Sequence, residues 1–177
     1  MHVRQVQHAA IESLVVTSLK GVQHAAIESL VVTSLKGDDK VIAALVHFAR
    51  HNSFWQCRKA AIQGLEKVSI PGDLVVVEAL GILIKDNDSW VREAAIKAIE
   101  LAAPESHPQA IACSRGLLDD PAWFVRRAAI RTLTMLQPEG DAQESVTGEV
   151  IKVEDKRWYA GVQGYLLKPD SLRHASR

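Results

Sequence analysis

The segment VREAAIKAI at residues 91–99 returns as VRRAAIRTL at 125–133, as CRKAAIQGL at 57–65 and as VQHAAIESL at 22–30. Aligned on Ile27, Ile62, Ile96 and Ile130, the four copies lie 35, 34 and 34 residues apart. A period of this size marks stacked supersecondary units, each leaving an apolar face that only a neighbour can cover. Take each isoleucine as position zero. Val22, Cys57, Val91 and Val125 then stand at −5, alanines at −2 and −1, and Leu30, Leu65, Ile99 and Leu133 at +3. Those offsets share one face of an α-helix, so each copy reads as an amphipathic helix, helix B of its unit. Ser29, Gly64, Ala98 and Thr132 at +2 are all small, which leaves room for a neighbouring helix to approach closely.

Three of these helices follow a second helical pattern: DKVIAALVHFAR from residue 39 to 50, a segment at 73–85 and another at 107–118. The paired patterns are separated by HNS, DND and DDP, sequences that cap or break helices. Asp120 before Pro121 reads as an N-cap with proline at the first helical position. Pro71-Gly72-Asp73 and Pro104 to Ser106 punctuate the chain between units. The unit is helix, short turn, helix.

Residues 6–21 and 22–37 are identical, VQHAAIESLVVTSLKG twice over. A shift of 16 residues rotates a continuous helix by roughly 160°, which would set the two apolar stripes on opposite faces. The sequence therefore predicts an antiparallel hairpin turning at Lys20-Gly21, with a C-cap at the glycine. Strict identity is not something packing demands, and it points to a recent duplication or a gene-model artefact.

The chain has 177 residues, 47% of them hydrophobic and only 5% aromatic, which suits helices packed through small side chains. Lys+Arg and Asp+Glu both number 21, so there is no net positive charge to displace counterions from a polyanion. Cys57 and Cys113 fall in helical patterns outside any CxxC motif and read as buried thiols of a reducing compartment. No apolar run of about 18 residues marks a membrane span. The segment MHVRQVQHAAIESL, with Glu12 and a helical period, does not read as a signal peptide.

Over roughly residues 3–137 the sequence resembles the HEAT-repeat family of α-solenoids. Members often carry an aspartate in the turn and an arginine six residues later in helix B. Asp86 with Arg92 and Asp120 with Arg126 match that pattern; Arg58 is preceded by Asn52, and the first unit has Thr17 and Gln23. The resemblance implies that Asp86, Arg92, Asp120, Arg126 and Arg58 hold adjacent repeats together. It also implies an all-α, right-handed α-solenoid of about four helix–turn–helix units, about 3–37, 38–69, 70–103 and 104–137. Residues 138–177 form an irregular C-terminal extension, serving as linker, cap or docking segment; VTGEVIKVED in it alternates enough for a short strand. So few units are expected of a fragment or short isoform of a longer protein.

No catalytic constellation emerges. GxxxxGK[ST], GxGxxG and GxSxG are absent, and the seven histidines include only one close pair, His47 and His51, without a third ligand at a familiar spacing. The iron-binding deoxyhypusine hydroxylases, which are HEAT-like, use His-Glu dipeptides, and this chain has none. The expected function is a non-catalytic scaffold for protein partners within a larger assembly, without cofactor, metal or small-molecule substrate.

Candidate contact residues are Trp55, Trp90, Trp123 and Phe124 at the turns, Arg127 and Arg131 on helix B, and Trp158 and Tyr159 in the extension. The turn aromatics have a second reading, as staples that fix each turn onto its neighbour. The outward positions −3 and +1 read His24/Glu28, Lys59/Gln63, Glu93/Lys97 and Arg127/Arg131, a mixed pattern that suits a protein better than a phosphate backbone. The alternatives are a HEAT-like enzyme or lyase-type accessory, and a nucleic-acid-binding solenoid using the Arg126, Arg127 and Arg131 end. The expected location is cytoplasmic. Residues 47–68, HFARHNSFWQCRKAAIQGLEKV, resemble HEAT-repeat proteins of cilia and sperm flagella and make the axoneme the alternative.

Overall fold

The computed structural model describes residues 5, 7, 9, 10 and 20–136. Seven helices are delimited among them: α1 Lys20–Thr33, α2 Asp39–His51, α3 Trp55–Val68, α4 Leu74–Leu83, α5 Ser89–Ala102, α6 Pro108–Gly116 and α7 Trp123–Leu136. Gln5, Gln7, Ala9 and Ala10 are helical as well. The second helices α1, α3, α5 and α7 each run for 14 residues. They pack in sequence, α1 on α3, α3 on α5 and α5 on α7, while α2, α4 and α6 form a parallel row behind them. The architecture is an all-helical solenoid of stacked hairpins.

Each first helix starts for a local reason. Asp38 accepts from Lys40 N at 3.1 Å and Val41 N at 3.3 Å; Asp73 accepts from Val75 N at 3.0 Å and Val76 N at 3.3 Å. His107 Nδ1 accepts from Ala110 N at 3.3 Å, and Pro108 follows at the first helical position. The residue before each cap is left-handed: Gly37 at φ 77°, Gly72 at φ 85° and Ser106 at φ 58°. That conformation aims each N–H at the end of the next second helix. Gly37 N donates to Val68 O at 2.7 Å, Gly72 N to Ala102 O at 2.8 Å and Ser106 N to Leu136 O at 2.8 Å. One turn geometry, used three times, satisfies an end carbonyl of α3, α5 and α7.

The core is the apolar stripe read from the sequence. Cys57, Val91 and Val125 at −5, and Leu30, Leu65, Ile99 and Leu133 at +3, are fully buried. Val22 is the exception at 41% exposed, because α1 has a neighbouring second helix, α3, on one side only among the described residues. At position +2 of α3 the neighbouring side chains stand close. A methyl group at Gly64 would stand 2.9 Å from Val31 Cγ2 and 3.3 Å from both δ-carbons of Leu45. At the equivalent position Thr132 is buried and its hydroxyl donates to Ile96 O at 3.3 Å.

Two local expectations are corrected. Lys20 and Gly21 lie inside α1, and Gly21 is not left-handed, so neither residue forms the expected turn. An antiparallel approach is nonetheless visible where Gln7 Nε2 donates to Thr33 O at 3.0 Å. Asp120 is not the N-cap of α7, which begins at Trp123; Pro121 lies in the turn, because the aspartate's carboxylate is held by an arginine of the preceding repeat. The linker and strand expected within residues 139–155 lie outside the described residues.

Filling the close approach at Gly64 has a definite outcome. Gly64→Val lowers stability by about 1–3 kcal/mol through overpacking. Gly116→Ala, with nothing within 4 Å of the added carbon, is neutral or raises stability by up to about 1 kcal/mol. Chemical denaturation of the two variants beside the parent checks the contrast.

Candidate protein-interaction edge

The turns inside the hairpins are organised by arginines at −4. Arg58 donates from Nε to Asp86 Oδ2 at 2.8 Å and from Nη2 to Asp86 Oδ1 at 2.7 Å. Arg92 repeats the fork one unit on, to Asp120 Oδ2 at 2.7 Å and Oδ1 at 2.9 Å. The remaining nitrogen of each guanidinium holds its own turn. Nη1 of Arg58 donates to Asn52 O at 2.9 Å, that of Arg92 to Asp86 O at 2.9 Å, and that of Arg126 to Asp120 O at 2.7 Å. The carboxylate closes the arrangement by accepting the N–H two residues ahead, Asp88 N on Asp86 and Ala122 N on Asp120, both at 2.8 Å. Arg58 and Arg92 therefore each fix one turn and tie it to the next, while Arg126 holds its own turn.

The first rung of this ladder is neutral. Asn52 Nδ2 donates to Gln23 Oε1 at 3.1 Å, and Asn52 Oδ1 accepts Phe54 N at 2.8 Å, as the aspartates do. The sequence departs from the Asp–Arg pattern at both positions, and the two departures meet. Burial works against the Asp120 carboxylate, but the Arg92 hydrogen bond, the Ala122 N–H and the charges of Arg92 and Arg126 outweigh it and hold its pKa below the ordinary value. The Asp120 bond holds the Arg92 guanidinium correspondingly more firmly protonated.

The aromatic side chains sit where these turns begin the second helices. Trp90 is 44% exposed and Trp123 55% exposed, and Phe54 is exposed beside them in sequence order. Trp90 stacks on Phe124 with ring centroids 4.5 Å apart, and Phe124 meets Trp123 edge-on at 5.9 Å. Lys59 Nζ lies 5.0 Å from the Trp90 centroid. A cation from the second hairpin, a ring from the third and two from the fourth thus form one row. Trp55 is not in it; its ring is half-buried against the core. Lys59, read in the sequence only as an outward position of helix B, is the member that spacing did not identify. Trp158 and Tyr159 lie outside the described residues.

Two cations of the second helices pair with carboxylates of the same row. Arg131 Nη2 lies 3.2 Å from Glu100 Oε1, whose side chain is only 9% exposed, and Lys97 Nζ lies 2.5 Å from Glu93 Oε1. Burial pushes the Glu66 carboxyl up, while Lys97 and Lys67 pull it back. Arg127 is exposed. The His47 and His51 rings lie 4.8 Å apart, and among the described residues no group of three His, Cys, Asp or Glu side chains could hold a metal ion. Burial raises the thiol pKa of Cys57 and Cys113, which keeps both protonated and poorly nucleophilic. No helix among the described residues is long and apolar enough to cross a membrane.

Stacked helical hairpins tied turn to turn define an α-solenoid of the helix–turn–helix repeat class. A family model described as HEAT repeats matches residues 76–146, so that stretch is similar to HEAT repeats, in agreement with the helical hairpins of the described residues. A search of curated proteins finds none that matches it.

Breaking the Arg92–Asp120 rung leaves a nearly buried partner without its countercharge, so Asp120→Asn destabilises by about 3 kcal/mol. Adding Arg92→Gln, which copies the neutral Gln23–Asn52 rung, gives a double variant more stable than the sum of the two single losses; a double-mutant cycle in urea measures the coupling. The depressed Asp120 pKa gives a signed pH effect. Its stabilisation is complete above the unfolded carboxylate value of 3.8 and is lost as pH falls through the lower folded value. Acid titration of the parent therefore shows a loss in that window that is smaller in Asp120→Asn.

Proposed function

We propose that the protein is a non-catalytic scaffold that binds protein partners along the aromatic edge of its turns. The observation that carries this reading is the exposure of Trp90 and Trp123 in a row pre-ordered by stacking on Phe124. Large exposed rings held in fixed positions lose little conformational entropy when covered, which is the physics of binding hot spots. The fold is commonly put to that use, presenting an extended surface rather than a pocket. The pairing of Arg131 with Glu100 and of Lys97 with Glu93 weakens the nucleic-acid alternative, since those cations are already partly neutralised. A cytoplasmic or axonemal assembly is the setting this reading favours.

The double variant W90A/W123A tests the edge. It is expected to lose about 1 kcal/mol of stability with the Trp90–Phe124 stack, and to lower capture of the partners retained by the parent by about tenfold. An Arg50→Ala control on α2 leaves capture unchanged. Quantitative affinity capture from a native source decides between outcomes. Partners held equally by W90A/W123A, or turnover of a small molecule without any stable protein partner, would overturn the proposal.

A further inference from the structure

Helix α2 carries two histidines, His47 and His51, one turn apart on a single exposed face. Its inner side chains Leu45, Phe48 and Ala49 are buried, and Asn52 N closes the last turn on Phe48 O at 3.1 Å. The backbone therefore holds the pair in fixed register. The ring centroids lie 4.8 Å apart with the planes tilted by 46°, neither a stack nor an edge-on contact. Neither ring makes a hydrogen bond or ion pair among the described residues. The other two described histidines are engaged: His24 Nε2 lies 3.6 Å from Glu28 Oε1, and His107 Nδ1 accepts from Ala110 N.

A metal held by one nitrogen of each ring at about 2.0–2.1 Å stands about 3.2 Å from each ring centre. With a ligand angle between about 90° and 109°, the square and tetrahedral values, the two centres then lie about 4.5–5.2 Å apart. The observed 4.8 Å falls inside that span. We infer that His47 and His51 form a two-imidazole site for a borderline divalent transition ion, zinc(II) or copper(II), whose remaining positions are filled by solvent. Imidazole nitrogen selects these ions over magnesium and calcium, which take oxygen ligands. Helix α2 ends at His51, and the carbonyls of a helix C-terminus favour a cation, although Arg50 in the same turn opposes one. The site uses no residue of the aromatic edge, so the two proposals stand or fall separately.

Zinc chloride titrated into the isotope-labelled full chain, followed through the imidazole nitrogen resonances, reads the site residue by residue. His47 and His51 are expected to shift together, at a zinc concentration about tenfold or more below that which moves His24 or His107. Magnesium chloride moves neither. His47→Gln weakens zinc binding at His51 by about tenfold or more, and His51→Gln does the same at His47. In urea, zinc raises the unfolding midpoint of the parent more than that of either variant, because an ion bridging the two rings binds the folded helix in preference to the open chain. The inference is overturned if His47 and His51 shift at separate zinc concentrations or no earlier than His24. Unchanged zinc affinity at His51 in His47→Gln overturns it equally.

Discussion

One arginine side chain doing two jobs is the constraint on which this solenoid depends. A guanidinium has five N–H donors in a rigid plane, enough to hold its own turn by one nitrogen and a carboxylate by the other two. Arg58 and Arg92 use it in that way, so the shape of one turn and the position of the next are set together. The arrangement has a direction, each arginine reaching to the following repeat and each aspartate receiving from the preceding one. At the start of the described stack an amide pair replaces the ion pair, with Asn52 donating back to Gln23, so the two turns meet without burying a charge. At the other end Arg126 holds its own turn through Nη1 on the Asp120 and Pro121 carbonyls.

Packing behind the ladder follows from small residues. The alanines at −1, and Gly64, Ala98 and Thr132 at +2, let the second helices lie close, and the large aliphatic side chains at 0 and +3 fill the space between them. A solenoid built by nearest-neighbour contacts has stability that is roughly a sum over interfaces. The left-handed residues Gly37, Gly72 and Ser106 add a second link between neighbours, from turn to helix end. Lys97 and Arg131 pair with Glu93 and Glu100, and the exposed aromatic rings Phe54, Trp90 and Trp123 all stand at the turns inside the hairpins.

Much of this was legible in the residues. A period of 34 with apolar positions at helical spacing gives hairpins in a stack, and the Asp, Gly and Pro punctuation places their ends to within a few residues. The positions of Arg58, Arg92, Asp86 and Asp120 were legible too. Other features were not, because they are meetings between units. Glu100 with Arg131, Lys59 over Trp90 and Thr132 on Ile96 O join residues 31 to 36 apart, where no local rule ranks one pairing over another. Asp120 before Pro121 has the look of a cap; its carboxylate is instead taken by Arg92 and by the N–H of Ala122.

The duplicated segment separates the two kinds of information. Gln7 and Gln23 occupy the same place in identical sequences, yet Gln7 donates to the Thr33 carbonyl while Gln23 accepts from Asn52. The sequence by itself determined helix, stripe and period, because these follow from backbone hydrogen bonds and neighbours three or four residues away. Only the tertiary structure decided which partner each polar side chain meets and which aromatic rings stay uncovered, because both depend on what the next repeat brings within a few ångströms.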